Sequence, residues 1–99
     1  MKFLKIEGLD FEVAERDCEY RLCHDEAKKY CANEGGRLPT IEELDKLYQR
    51  KDKIGGFSDG YYWSSTEFSF NGSRIERFSD GSQYGLTKFN SYVVRCVRG

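Results

Sequence analysis

Long apolar runs, an excess of either charge and all but one proline are missing from this sequence, and each absence excludes something. No segment approaches the about 20 apolar residues that cross a bilayer, so membrane insertion is not expected. Residues Met1 to Asp10 lack the apolar run of a secretion signal, so none is read in the sequence. Lys and Arg number 16 against 17 Asp and Glu, which leaves a formal net charge of -1. Without a basic excess there is no field to gather phosphates, so nucleic acid is not an expected partner. Ninety-nine residues support one hydrophobic core, and residues 1–99 are read as a single domain.

What is abundant is aromatic and flexible. Seven Tyr, seven Phe, one Trp and ten Gly suit short strands and turns better than a helical bundle, so an α+β class is expected. Residues 3 to 6 and 11 to 13 alternate apolar and charged side chains across Gly8, which predicts two short strands or one bent strand. From His24 the period turns helical, with Ala27, Tyr30 and Cys31 on one stripe, and Gly35-Gly36 ends the helix. In Thr40-Ile-Glu-Glu43 a hydroxyl and a carboxylate can cap each other's amides, and Ile41, Leu44, Leu47 and Tyr48 form the apolar stripe of a second helix.

Beyond Lys53 the chain reads as strand and loop. Strands are expected near Tyr61 to Ser65, Arg74 to Phe78, Tyr84 to Thr87 and Tyr92 to Val97, with turns at Asn71-Gly72 and Asp80-Gly81. Phe57-Ser-Asp-Gly60 recurs as Phe78-Ser-Asp-Gly81, and with only four residues matching this reads as two similar turns rather than a duplicated unit.

Cys18, Cys23, His24 and Cys31 crowd into fourteen residues, which raises the question of zinc. If Cys23 opens the helix, Cys31 lies roughly 12 Å along the axis. Sulfurs sharing one zinc lie within about 4.6 Å of each other. The remaining three groups are too few for a closed tetrahedral site, so no metal and no cofactor is expected. Cys18 and Cys23 are then a local disulfide pair or two free thiols, and His24 is expected to face solvent at a helix start.

The pieces Ala27-Lys-Lys-Tyr-Cys31-Ala-Asn-Glu-Gly-Gly-Arg-Leu-Pro-Thr40, Tyr62-Trp-Ser-Ser-Thr-Glu67 and Tyr92-Val-Val-Arg-Cys-Val-Arg98 together resemble the C-type lectin-like fold. Within it they are similar to the bacterial and phage family of the Legionella collagen-like protein C-terminal domain. Arg37-Leu-Pro-Thr40 is shared with the formylglycine-generating and sulfatase-modifying branch. The resemblance runs from about Phe11 to Arg98 and implies two helices packed on a small, loop-rich antiparallel sheet. It also implies a disulfide between Cys31 of the first helix and Cys96 of the last strand. Cys31 sits on an apolar stripe and Cys96 alternates with Tyr92 and Val94, so both can face one core. In a reducing compartment the same thiols would pack unbonded.

Calcium-dependent sugar binding in this fold uses an acid-Pro-Asn segment and a Trp-Asn-Asp, and neither is here: the only proline is Pro39, and Phe89-Asn-Ser91 lacks the carboxylate. Asp59 and Asp80 are the acids to examine first for a cation, although Asp before Gly commonly serves the turn. The enzyme branch relies on a redox cysteine pair shortly before its last strand, whereas no cysteine lies between Cys31 and Cys96. Glu42 and Glu43 are accounted for by capping and solvent, so catalysis is not expected.

Binding remains. Gly55 to Asn90 holds nine aromatic residues, more than so small a core needs, beside Asn and Arg side chains that suit recognition. Tyr61, Trp63, Phe70, Asn71, Arg74, Arg77, Asp80 and Tyr84 are the expected contacts for a protein or glycan ligand, with Trp63 and alternate strand residues also wanted by the core. The expected role is adhesion or receptor recognition at a bacterial surface or in a phage particle, and the rival is a structural subunit of a larger assembly.

Overall fold

The computed structural model describes residues 1–99. Along the chain come β1 (Phe3–Lys5), β2 (Glu12–Ala14), α1 (His24–Asn33), α2 (Ile41–Gln49), α3 (Lys51–Ile54), β3 (Tyr61–Ser69), β4 (Gly72–Arg77), β5 (Gln83–Thr87) and β6 (Val97–Arg98). This is an α+β domain with two antiparallel sheets of three strands, ordered β1-β2-β6 and β3-β4-β5, where one sheet was expected. The second sheet arises because β2 pairs with the chain end, Glu12 opposite Arg98 and Val13 opposite Val97.

Each helix forms for a local reason. In α1, Ala27 and Cys31 turn inward. The Cys23 N–H donates to Glu26 Oε1 at 3.3 Å. The helix stops where Gly35 takes φ +86, a conformation that strains any side chain. Gly36 N–H then closes the turn on the Cys31 carbonyl at 2.8 Å. A Cβ on Gly36 would collide with the Val97 carbonyl oxygen, so the helix end and β6 touch through glycine. In α2, Thr40 Oγ1 accepts from the Glu43 N–H at 3.1 Å while Glu43 Oε1 accepts from the Thr40 N–H at 2.9 Å, and Ile41, Leu44 and Leu47 are buried.

Arg37-Leu-Pro-Thr40 is spent on this scaffold. Arg37 donates to both Glu43 carboxylate oxygens, at 2.7 and 2.9 Å, and to the Gly99 carbonyl at 2.6 Å. Burial opposes ionisation of Glu43, yet Arg37 and the Thr40 amide hold its carboxyl below the usual range. Arg37 also exchanges backbone hydrogen bonds with Val97, Leu38 is buried, and the Pro39 carbonyl accepts from the Ser65 N–H.

Two hydrophobic clusters divide the interior. One joins Phe3, Ala27, Cys31, Trp63, Ile75, Val94 and Cys96. The other joins Phe11, Val13, the inner face of α2, Tyr62, Phe78, Val93 and Val97. Cys31 and Cys96 are bonded, with Cα atoms 5.5 Å apart at a sequence separation of 65. Cys18 and Cys23 are free thiols, the first buried and the second half-buried, so the local-pair alternative is not realised.

The expected strand Tyr92 to Val97 is not continuous: Tyr92 and Val93 make isolated bridges and only Val97–Arg98 is strand. The reason is its place in the core. Val93 to Val97 are all buried, with Val94 and Cys96 entering one cluster and Val93 and Val97 the other. Its backbone therefore pairs with several segments in turn: Leu22, Tyr61, Cys18, Ala14 and Arg37. Elsewhere the strands run longer than expected, since β3 continues to Ser69 and β4 starts at Gly72, which places the turn at Phe70-Asn71.

Candidate functional site

The polar groups that look chemical in sequence are mostly inside. His24, expected to face solvent, is 4% exposed. Its Nε2 lies 2.9 Å from the Ser64 carbonyl oxygen and 2.9 Å from Ser73 Oγ. A carbonyl only accepts, so the ring carries its proton on Nε2. Burial pushes the imidazole below its ordinary value, and its edge packs on Trp63 with centroids 4.9 Å apart. The inward turn follows from β3, whose register shifts between Trp63 and Glu67 beside that carbonyl.

Arg95 has no exposed surface. Its Nε lies 3.4 Å from Asp17 Oδ1, its Nη2 donates to the Gly55 carbonyl at 2.9 Å, and its guanidinium sits 4.1 Å from the Phe57 ring centre. The Tyr62 hydroxyl donates to Asp17 and accepts from the Ser58 N–H. Burial raises the Asp17 carboxyl despite Tyr62 and Arg95, and the same burial lowers Arg95 against the pull of Asp17. This network anchors residues 55–58, the segment that leads into the aromatic sheet. An arginine inside Val93-Val94-Arg95-Cys96-Val97 was a readable sign of a buried cation, and the sequence reading passed over it.

Glu76 is also fully buried. Its Oε1 accepts from Gln83 Nε2 at 3.2 Å, and burial together with the neighbouring Asp45 pushes its carboxyl up to about 8. Near neutral pH it therefore keeps its proton, which avoids a buried negative charge beside Asp45. Nothing in the sequence betrays this, because Glu76 follows Ile75 as any outward strand residue would.

The eight expected contacts do not form one surface. Trp63 belongs to the core: it is fully buried and its Nε1 donates to the Leu22 carbonyl at 2.8 Å. Tyr61, Arg77 and Tyr84 share one sheet face, joined by Tyr92. Tyr61 stands 6.1 Å from Tyr84 and 5.6 Å from Tyr92, ring centre to ring centre, and the Arg77 guanidinium lies 5.9 Å from the Tyr61 ring. Arg74 is on the opposite face, 5.5 Å from the Phe68 ring. Phe70 and Asn71 stand exposed at the hairpin tip, Phe70 at 91%. Asp80 is exposed and serves its turn, its Oδ1 accepting from the Ser82 N–H at 3.0 Å, and that bond lowers its carboxyl.

The tyrosine face opens into a cleft of about 410 Å³ lined by Arg21, Asp59, Gly60, Tyr61, Arg77, Ser91, Tyr92 and Val93. Two guanidinium groups, one carboxylate and two phenol rings thus surround a single concavity. Such a set can stack on a flat apolar surface and offer donors and an acceptor around it. Arg21 and Tyr92 were not among the expected contacts, because they come from segments remote in sequence that meet only through the Leu22 to Tyr92 bridge. No three His, Cys, Asp or Glu side chains are grouped to hold a metal ion. A scan of protein-family models finds no match to the chain, and no curated protein matches it.

Proposed function

We propose that this chain is a non-catalytic binding module of the C-type lectin-like kind, recognising a protein or glycan through the cleft between Tyr61, Tyr92, Arg21 and Arg77. The fold assignment is supported by the disulfide from the first helix to the C-terminal segment and by the order of two helices before a loop-rich sheet. The observation that carries the function is the cleft, where aromatic faces and charged donors converge on one open concavity. The non-catalytic reading is supported by how its reactive groups are engaged. His24 is hydrogen-bonded inside, and Cys31 and Cys96 are bonded to each other. Adhesion or receptor recognition at a bacterial surface or in a phage particle is the setting this reading favours.

The test is binding to an array of glycans and of bacterial surface proteins, followed by titration of each hit against variants. Tyr61→Ala and Arg77→Ala should each weaken binding by about tenfold or more, as central contacts do. Phe70→Ala, remote from the cleft, should leave it unchanged. If the hits respond to Phe70 and not to Tyr61 or Arg77, the cleft is not the site. A second reading, a subunit of a larger assembly, is favoured by Phe68, Phe70 and Phe89, which are 56%, 91% and 81% exposed.

A further inference from the structure

Each sheet edge but one is covered or charged. β1 is three residues long and ends in Lys5. β3 is bridged by Val93 over its first half and carries Glu67 beyond. β6 is met by Arg37. The exception is β5, Gln-Tyr-Gly-Leu-Thr from Gln83 to Thr87, which pairs only with β4 and has no charge, no proline and no bulge in a chain one-third charged. Such an edge offers an open row of backbone donors and acceptors.

The register shows which groups are free. Arg77 N–H donates to the Ser82 carbonyl, and Tyr84 and Leu86 lie opposite Ile75 and Ser73. By antiparallel alternation residues 82, 84 and 86 turn their backbone groups to β4, while Gln83, Gly85 and Thr87 turn theirs outward. The one outward group with a partner is the Thr87 carbonyl, which Asn90 N–H meets at 3.4 Å.

We propose that β5 pairs with β5 of a second copy, antiparallel, about a two-fold axis at Gly85. In that register Gly85 faces Gly85 and Gln83 faces Thr87, so outward groups meet outward groups. Tyr84 faces Leu86 twice on one sheet face, an aromatic and aliphatic pair of the kind that stabilises adjacent strands. On the other face a Cβ at Gly85 would overlap the Phe68 ring, so Phe68 lies over the glycine and two such rings would flank the axis. The strand itself carries no charge to oppose a second copy, and the charges at its two ends, Asp80 and Lys88, lie within 4.0 Å of Arg77 and Glu67 of their own chain. The occupant is a second copy because the edge is uncharged and self-complementary in register and in side-chain size.

Sedimentation of the wild-type chain from about 10 µM to about 1 mM spans the range expected of a small interface. The mass should rise from 11.5 kDa toward twice that, with amide exchange at Gln83, Gly85 and Thr87 slowing as concentration rises. Thr87→Pro removes an outward N–H without touching the β4 ladder, and Thr87→Lys adds a charge to the edge. Both should remain monomeric with unchanged circular dichroism, and the lysine variant decides the matter if the proline one does not fold. A chain monomeric throughout overturns the proposal, as does a dimer with unprotected 83–87 amides or one that persists in Thr87→Lys.

Discussion

The two sides of the β3-β4-β5 sheet are built on different principles. On the Trp63 and Ile75 side, α1 is held by a covalent bond, and the buried imidazole of His24 is neutral and hydrogen-bonded. On the Tyr62 and Phe78 side there is no covalent link, and the buried ionisable groups gather there: Arg95 with Asp17, and Glu76 with Asp45. The first side is closed covalently and is exposed to pH only in acid, through His24, while the second depends on charges remaining paired or protonated.

The largest expected loss comes from the stapled side. Replacing Cys31 and Cys96 by Ser should cost about 4 kcal/mol, since the bond closes a long loop in the unfolded chain. Denaturant unfolding with and without reductant measures it, and the serine variant should ignore reductant. Next is Arg95→Met, which leaves Asp17 buried without its cation and should cost about 3 kcal/mol, with the loop 55–58 loosening first in hydrogen exchange.

Glu76→Gln should have the opposite sign. Unfolded, Glu76 ionises near 4.5, and folded near 8. Between those values the folded state holds a proton that the unfolded state lacks, so stability falls as pH rises through the window. The glutamine variant should lose that slope and be more stable than wild type at pH 8, by about 2 kcal/mol. His24 acts on the acid side instead: its lowered value makes stability fall as pH drops below 6.5. Melting temperatures from pH 5 to 9 for wild type, Glu76→Gln and His24→Asn should separate the two slopes. If both variants flatten the same limb, the division between the sides is wrong. The smallest effect is Thr40→Ala, about 1 kcal/mol for a lost cap, again on the uncovalent side.

Much of this scaffold was legible. The cap at Thr40 is a local pattern read within four residues, and the Ala27 and Cys31 stripe needs only one helix. The Cys31 to Cys96 bond, which joins elements 65 residues apart, was implied by resemblance and by both cysteines facing inward. What could not be read were burials decided by distant partners. His24 turns in because of a carbonyl on β3, and Glu76 is covered by α2. Trp63 was expected in both roles, as core and as contact, and only packing decides between them. The candidate site was half legible: Tyr61, Arg77 and Tyr84 do meet, while Arg74, Phe70 and Asn71 lie elsewhere because alternation sends neighbours to opposite faces and the turn sends others to the tip.

The threading of residues 93–97 between the clusters also has a consequence for the order of assembly. Cys18, Ala14, Arg37 and Tyr61 all find their backbone partners in that one short segment, which is translated after every one of them. During synthesis neither half of the interior can close until it has left the ribosome, and contacts this remote in sequence form slowly. A nascent chain therefore waits with its apolar faces open, which makes the interval before residues 93–97 emerge a time of exposure to aggregation and to chaperones.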